Sequence, residues 1–386
     1  MLNMKIAYIS KSCYADTDFP LIRKYQQMGH EVHYFLNVDC RELHSTLIDI
    51  NVQNPNSCLL SPDAYPELDV YRNYIDMSNV YIVNRAEKSS INYKTLRLAH
   101  LVDKKLQEIQ PDVIHLLEPP YINNLLLYKW RKKMVLTMHD PFPHTGESFA
   151  RRSIFRNIAF KLIKKFVLLN ARQKSQFSSR YKIQENNILI NSIGRFDYLQ
   201  LFVVPRKKKS KVNVLFFGRI SPYKGVEYLC EAMTKVHEVL PGVTLTIAGG
   251  GDFYFDIAKY SSKNWIKIIN KYIGVKQMAE LFDDCTISVC PYTDATQSGV
   301  INTSYSFSKP VVATNVGGLP EMVEQGKSGL LVQPKNSDKL ADTIISILEN
   351  ENNLLEMQKF ISDEYYASDK SWDIIANKYI EFYKML

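Results

Sequence analysis

Short apolar runs alternate with stretches of helical periodicity along the first half of the chain. The apolar runs predict buried strands at residues 4–10, 31–35, 113–117 and 134–138. Apolar positions three and four apart predict helices at about 19–28 and 91–110, and Gly29 follows the first helix as a C-cap glycine would. The segment 37–66 has a mixed pattern that supports no assignment. Strands that alternate with helices predict a parallel sheet covered by helices on both faces.

The second half repeats this alternation more clearly. Strands are predicted at 212–217, 243–248, 265–269, 287–290 and 310–314. Helices are predicted at about 225–239, 277–282, 300–307 and 338–349. The polar, basic stretch 205–210 separates the two runs and suits an exposed linker or a solvated link with no binding role. The pattern therefore predicts two doubly wound domains, whose ligands would bind outside the carboxyl ends of the strands.

Composition agrees with a soluble globular protein of two domains. The chain has 386 residues, of which 46% are hydrophobic and 23% charged. It contains no apolar window of about 18 residues, and its start lacks the features of a signal peptide, so we expect a cytoplasmic protein. The six cysteines form no CxxC pair, which argues against a zinc site or a disulfide framework.

The loop after strand 212–217 combines a glycine with two cations. Gly218 permits close backbone approach, and Arg219 and Lys224 flank the start of the next helix. A guanidinium, an ammonium and the N–H groups of a helix N-terminus together suit a diphosphate. Taken alone, the same residues also fit an ordinary turn with surface charges.

Two further loops follow strands of the same half. The first is a run of three glycines that ends in Asp252; it forms a tight turn or lets a ligand lie against the backbone, and its spacing is not that of a dinucleotide fingerprint. The second, residues 291–299, places small polar residues where a helix begins. Such residues either cap the helix or leave its N–H groups for phosphate oxygens.

One histidine follows a strand in the first half. His139 ends strand 134–138, where an imidazole could donate a hydrogen bond to a substrate or act as an acid or base, and Glu118 is a weaker neighbouring candidate. A purely structural role for His139 stays open.

Taken in order, these loops resemble the retaining nucleotide-sugar glycosyltransferases of family 4. The resemblance is strongest over residues 212–332, through FFGRISPYKGVEYLCEA, LTIAGGGD, PYTDATQSG and KPVVATNVGGLPEMVEQGKSGLLV. It extends more weakly to LTMHDPFPHTGE and PDVIHLL. It implies an α/β GT-B fold, with two facing Rossmann-like doubly wound domains and a cleft between them. The implied domains are 1–205, on the acceptor side, and 206–365, which binds the nucleotide sugar. The final helix, within 366–386, would pack back on the first domain.

The resemblance also implies roles for individual residues. Arg219 and Lys224 would clamp the donor diphosphate, His139 would meet the donor sugar across the cleft, and Asp294 would be the fourth catalytic residue. The resemblance implies further donor contacts from Gly218, Gly250, Asp252, Tyr272, Ile273, Gln297, Ser298, Gly299 and Thr303. Stabilisation by fixed cations requires no metal, and the candidate donor loops contain no DxD motif; residues 16–18 have those letters but lie in the first domain.

The sequence departs from the family pattern at two places. Ala295 and Thr303 occupy the positions of a usual pair of glutamates, and neither can chelate a ribose as a carboxylate would. The family contains a subgroup with a similar Ala-Thr-Gln-Ser-Gly loop, in which an acidic residue precedes the alanine, as Asp294 does here. The first loop, 11–16, lacks the family's usual glycine pair, and this loop commonly meets the acceptor.

A basic segment suggests an anionic partner. Residues 150–209 contain fifteen lysine and arginine residues against two acidic ones, although the net charge of the whole chain is only +8. We predict a basic amphipathic helix at 151–170, with Ile158, Leu162, Phe166 and Leu169 on one face. It would dock on an anionic membrane surface near a lipid-linked acceptor, or would be a core helix with a solvated basic face. The segment lacks the interleaved aromatics of a nucleic-acid binder.

The function expected from these observations is a retaining hexosyltransferase of cell-surface polysaccharide biosynthesis. It would move a sugar from a nucleotide sugar, most simply a UDP-sugar, to a glycan or lipid-linked acceptor. The protein would be cytoplasmic, or peripheral on the inner face of the membrane. The alternatives are a nucleotide-sugar epimerase or a phosphorylase of the same fold, and a non-catalytic nucleotide-sugar-binding protein.

Overall fold

The computed structural model divides the chain into two compact units. One comprises Met1–Gly194 together with Asp369–Leu386, and the other comprises Arg195–Ser368. The structure describes residues 3–41, 48–139, 141–142, 150–203, 212–295 and 298–386, except for the side chains of 122–123 and 150–153. The linker predicted at 205–210 lies outside the described residues.

The first unit is built on an eight-stranded sheet in the order β3-β4-β2-β1-β5-β6-β7-β8. Its strands are β1 (Lys5–Lys11), β2 (Glu31–Asp39), β3 (Cys58–Leu60), β4 (Val80–Arg85), β5 (Val113–Leu116), β6 (Met134–Met138), β7 (Lys165–Leu168) and β8 (Ile188–Ile190). Its first four helices are α1 (Ala15–Gln27), α2 (Tyr93–Ile109), α3 (Ala150–Leu162) and α4 (Lys174–Tyr181). Strand β3 is antiparallel to β4, and the other pairs are parallel.

The second unit contains a six-stranded parallel sheet in the order β11-β10-β9-β12-β13-β14. Its strands are β9 (Val212–Phe217), β10 (Val243–Ala248), β11 (Ile266–Ile269), β12 (Ile287–Cys290), β13 (Val311–Thr314) and β14 (Gly329–Val332). Its helices are α5 (Val226–Val239), α6 (Ala258–Ser261), α7 (Val275–Asp284), α8 (Gly299–Ser306), α9 (Leu319–Met322), α10 (Ser337–Glu349) and α11 (Glu351–Lys359). Two doubly wound α/β domains were predicted, and both are confirmed.

The C-terminal helix α12 (Trp372–Tyr383) belongs to the first unit. Its buried Tyr383 hydroxyl lies 2.9 Å from the Tyr25 hydroxyl of α1 and 2.5 Å from Nδ1 of His115 on β5. The amide of Asn191 donates a hydrogen bond of 3.1 Å to the Ile375 carbonyl. Polar as well as apolar contacts therefore fix this helix against the first sheet.

The predicted helix at 151–170 is wrong over its second half. Helix α3 ends at Leu162, and residues Lys165–Leu168 form strand β7 instead. Phe166 pairs with Leu136 of β6 and with Ile188 of β8, so it faces the sheet core and not a helix surface. A short apolar run buried on both sides by neighbouring strands satisfies its backbone groups in the sheet, which overrides the helical spacing.

Several strands were not predicted from the sequence. Strands β3, β4, β7, β8 and β14 have no counterpart among the predicted elements. Most of them are three to four residues long and lie towards a sheet edge, where apolar runs are short.

Candidate functional site

The connections of the second sheet reverse direction beside β9. The chain proceeds from β9 to β10 and β11 on one side, and then returns to build β12, β13 and β14 on the other. The loops after β9 and β12 therefore flank a topological switch point at the carboxyl ends of parallel strands. In open α/β sheets this is where ligands bind.

The loops after β9 and β10 are joined through their backbones. The N–H of Gly218 donates to the carbonyl of Ala248 at 2.9 Å, and the N–H of Ile220 donates to the carbonyl of Gly250 at 2.9 Å. Gly249 has a φ of 147°, and a β-carbon there would overlap the carbonyl oxygen of Gly218. Glycine at this position therefore permits the close approach of the two loops.

The loops after β9 and β12 also meet. The Nζ of Lys224 lies 3.7 Å from the centroid of the Tyr292 ring, within the range of a cation–π interaction. The N–H of Thr293 donates to the carbonyl of Tyr223 at 2.8 Å. Burial lowers the pKa of Lys224. In the described part of the chain, neither Lys224 nor the exposed Arg219 forms an ion pair with a carboxylate.

The N-terminus of helix α5 already has a partner within the protein. The N–H of Val226 donates to the hydroxyl of Tyr254 at 3.0 Å, and that hydroxyl donates to the carboxylate of Glu227. This differs from the sequence-based expectation of N–H groups open to a phosphate at this helix. A carboxylate in the first turn disfavours a second anion at the same end.

Helix α8 presents a different N-terminus. Ser298 occupies the N-cap position but makes no side-chain capping bond, and its hydroxyl lies 3.3 Å from the buried hydroxyl of Tyr292. No acidic residue occupies the first turn, which begins at Gly299. Ser298 therefore does not cap the helix with its side chain, and the first N–H groups of α8 suit an anion.

The loop after β13 supports the loop after β12. The N–H of Gly318 donates to the carbonyl of Ala295 at 3.2 Å, and a β-carbon at Gly317 would overlap that same carbonyl oxygen. Asp294, one residue earlier, is exposed, whereas Gln297 lies outside the described residues. No role was predicted for the glycine pair 317–318, although it lies in a motif of the family resemblance. Its position shortly after a predicted strand was the available signal.

Thr303 is buried in the body of α8. Its hydroxyl donates a hydrogen bond of 2.9 Å to the carbonyl of Gly299, one turn earlier. In this conformation the side chain serves its own helix and supplies no carboxylate. The predicted contact between Thr303 and the donor stays a prediction.

The segment after β11 lies beside the glycine-rich loop. The side-chain amide of Asn270 donates to the carbonyl of Gly251 at 3.0 Å, and a β-carbon on Gly250 would lie 3.4 Å from the backbone of Lys271. Tyr272 is exposed and Ile273 is buried, while Asp252 lies exposed at the end of the glycine run. The backbone around residues 270–273 therefore borders the same sheet edge as the loops after β9, β10 and β12.

His139 lies in the first unit, at the carboxyl end of β6. Its ring stacks on Tyr14, with centroids 4.4 Å apart and planes inclined by 13°. The weaker candidate Glu118 pairs with Lys11 at 2.9 Å. Lys11 ends β1 and Glu118 follows β5, so this ion pair marks the switch point of the first sheet.

Among the described residues, no group of three or more histidine, cysteine, aspartate or glutamate side chains could bind a metal ion. Within the same ranges, no helix combines the length and the apolar character that crossing a bilayer requires.

Comparison with known proteins agrees with the geometry of the second unit. Residues 211–350 match the family described as "Glycosyl transferases group 1". An uncharacterized glycosyltransferase of Methanocaldococcus jannaschii is 29% identical over 179 residues, which cover 45% of this chain and 44% of that protein. The chain spans about half the length of the curated relatives it matches.

Solved structures resemble the whole chain. HepE of Anabaena, in complex with UDP-glucose, has a TM-score of 0.68 and 17% identity, with 100% of both chains covered. The UDP-GlcNAc 2-epimerase of Neisseria meningitidis, bound to UDP-GlcNAc, has a TM-score of 0.64 and 14% identity, and covers 98% of this chain and 100% of its own. The fold is thus GT-B, as the sequence predicted.

Proposed function

We propose that the protein is a nucleotide-sugar-dependent glycosyltransferase and that the second unit binds its donor. The observation that carries this proposal is the junction of the loops after β9 and β12, where Lys224 lies against Tyr292 and has no carboxylate partner among the residues that the structure describes. A half-buried ammonium that lacks an internal counterion is suited to an external anion. The family match over 211–350 includes this junction.

In the proposed reaction, the bond between the anomeric carbon and the diphosphate breaks and the oxygen of an acceptor hydroxyl bonds to that carbon. The hydroxyl proton passes to the leaving diphosphate or to water. Negative charge then builds on the leaving nucleotide. Lys224, Arg219 and the N–H groups at the start of α8 would stabilise that charge, a contribution that is often the largest in such catalysis. Asp294, Ser298 and Gly299 would surround the sugar and the phosphates. Fixed cations make a metal ion unnecessary in this scheme.

The nucleotide in this proposal is UDP and the transferred group is a hexose. Support comes from HepE, which has the same fold and was crystallised with UDP-glucose. The exposed Tyr272 and the backbone of Ile273 would hold the nucleobase beside the glycine-rich loop. Retention of anomeric configuration follows only from the resemblance to family 4.

The proposed acceptor is a glycan or a lipid-linked precursor of a cell-surface polysaccharide, met in the cytoplasm at the inner face of the membrane. His139 and the switch point of the first sheet would belong to the acceptor side. Helix α3 supports the membrane association, because Lys161 and the following Lys164 are exposed. Sedimentation with anionic and neutral liposomes tests it, and absence of binding to anionic vesicles at low salt would exclude it.

A thermal-shift panel of UDP-, GDP-, ADP- and TDP-sugars tests the donor site. We expect stabilisation by the UDP-sugars, lost in Arg219→Ala, since a ligand that binds only the folded state raises its melting temperature. Lys339→Ala, an exposed lysine on α10, is the matched control and should keep the shift. No shift by any donor at millimolar concentration would contradict the proposal.

An epimerase is the second candidate, because the Neisseria meningitidis enzyme shares the fold. A non-catalytic binder is the third, because Ala295 and Thr303 are not carboxylates. Incubation with a UDP-sugar and no acceptor separates these. A changed sugar indicates an epimerase, whereas binding without turnover with any glycan or lipid acceptor indicates a binding protein.

A further inference from the structure

The first unit contains a cavity of about 1070 Å³ that none of the donor contacts uses. It opens at the carboxyl ends of β1, β2, β4 and β5, and its walls include Lys11, Arg41 and Arg85. Its volume is at the upper end of the range for small-molecule sites. Because the switch point of the first sheet borders it, the cavity occupies the position where a doubly wound domain binds a ligand.

One part of the cavity lining carries three cationic side chains, Arg41, Arg85 and Lys88. Arg85 is only 6% exposed, and one of its terminal nitrogens donates to a carboxylate oxygen of Asp39 at 2.9 Å. The same carboxylate accepts two hydrogen bonds from the guanidinium of Arg41, at 3.0 and 2.7 Å. Asp39 thus contacts both guanidiniums, and the neighbouring Lys11 pairs with Glu118.

Further donors line the same wall. Lys88 is exposed, lines the same cavity and forms no ion pair in the described part of the chain. The Nε of Arg85 is buried and makes no hydrogen bond among the described residues. A buried guanidinium with an unused N–H, next to two other cations, is an arrangement that favours a phosphate, which accepts several hydrogen bonds at once.

The cavity also has an apolar lining. Ile9, Val83 and Leu116 belong to it and are buried. Two lining residues form an apolar rim, because Ile91 is 66% exposed and Ile154 of α3 is 57% exposed. Exposed apolar side chains at the opening of a cavity suit an apolar ligand.

We propose that this cavity binds the acceptor as a phosphorylated lipid held in a bilayer. The phosphate would lie against Arg41, Arg85 and Lys88, and the hydrocarbon chain would leave across Ile91 and Ile154. This rests on the proposed function and deepens it by naming the chemical class of the acceptor. A free glycan would use neither the apolar rim nor the cationic side chains, whereas a lipid phosphate uses both.

Titration calorimetry with decyl phosphate, below its critical micelle concentration, tests the cavity without any donor. We expect decyl phosphate to bind at least about tenfold more tightly than decyl maltoside, which has the same chain and no charge. Inorganic phosphate should bind far more weakly than decyl phosphate, because it lacks the chain. Equal affinity for the two decyl compounds would overturn the proposal, and so would equal affinity for inorganic and decyl phosphate.

Substitutions test whether decyl phosphate binds in this cavity. Arg41→Gln and Lys88→Gln should each lower the affinity for decyl phosphate by about tenfold. Arg72→Gln is the matched control, since Arg72 is also an exposed arginine paired with aspartate, but lies outside the cavity. Ile154→Ser, at the rim, should weaken the binding of decyl phosphate, whereas Leu355→Ser, at an exposed leucine of the second unit, should not. Equal effects of site and control variants would place the binding elsewhere.

The UDP-sugar thermal shift, measured on the same samples, separates the two proposals. A variant that loses decyl phosphate but keeps the UDP-sugar shift is folded, so its loss reports on the cavity. Decyl phosphate binding without any nucleotide-sugar shift would leave the cavity intact and count against the donor site. A UDP-sugar shift without selective decyl phosphate binding would overturn only the assignment of the acceptor.

Discussion

The ammonium nitrogen of Lys224 lies 3.7 Å from the ring centroid of Tyr292. The two residues belong to different loops, and the buried ring partly replaces the water that the ammonium would have on the surface. This contact holds the cation at the switch point of the second sheet before any ligand arrives. A positioned charge costs no reorganisation when a transferring group develops negative charge.

Removal of that cation should impair turnover more than stability. For Lys224→Ala we expect kcat/KM for the donor to fall by about 100-fold or more, as for the loss of one transition-state charge. Lys339→Ala, on the exposed surface of α10, should leave kcat/KM unchanged. Steady-state kinetics of UDP release measures both. An unchanged kcat/KM in Lys224→Ala would remove this lysine from the proposed site.

The glycine-rich loop should not tolerate a side chain. Gly249→Ala places a β-carbon onto the Gly218 carbonyl at a φ of 147°, so we expect a loss of about 1–3 kcal/mol in unfolding free energy and a loss of donor binding. Gly242→Ala is the matched control, because a β-carbon there meets no atom within 4 Å. Urea unfolding and the UDP-sugar thermal shift measure the two effects. Normal donor binding by Gly249→Ala would show that this close approach is unnecessary.

The packing of the C-terminal helix should contribute to stability through the hydroxyl of Tyr383. Tyr383→Phe leaves both the Tyr25 hydroxyl and Nδ1 of His115 without this partner, and burial lowers the pKa of His115 to about 3, which keeps the imidazole neutral. We expect a loss of about 1–3 kcal/mol in unfolding free energy, the usual cost of buried groups left unsatisfied. Tyr93→Phe, at a residue that is 77% exposed, should change little. Equal stability of the two variants in urea would contradict this account.

One buried carboxyl should make the first unit less stable at high pH. Burial raises the pKa of Asp18 from 3.8 to about 8, although the Tyr34 hydroxyl donates to its carboxylate at 2.8 Å. Between those two values the folded state retains a proton that the unfolded state has lost. Unfolding free energy therefore falls as the pH rises, by up to about 1.4 kcal/mol per pH unit.

The variant Asp18→Asn tests this dependence. It remains uncharged at every pH, so the decline between pH 5 and pH 8 should flatten, as measured by urea unfolding at several pH values. Asp63→Asn replaces an exposed aspartate and should retain the wild-type slope. The prediction is wrong if Asp18→Asn follows the same pH profile as the wild type.

The alternation of apolar runs and helical stretches was sufficient to predict two doubly wound domains. Strands such as β9, β10 and β12 are buried on both faces, and continuous apolar runs are the direct consequence of that burial. The candidate loops followed from the same reasoning, since each begins where a predicted strand ends. The candidate donor loops could therefore be predicted from local composition.

Contacts between residues that are far apart in the chain could be recognised only in the tertiary structure. Strand β7 has a basic, helix-like sequence around it, and only pairing with β6 and β8 makes it a strand. The occupation of the α5 N-terminus by Tyr254 depends on a residue 28 positions away from Val226. The cavity likewise combines Arg41, Arg85 and Ile154, whose proximity no local pattern encodes. The local sequence pattern determines propensity and burial, whereas these contacts form only when the order of the strands brings distant segments together.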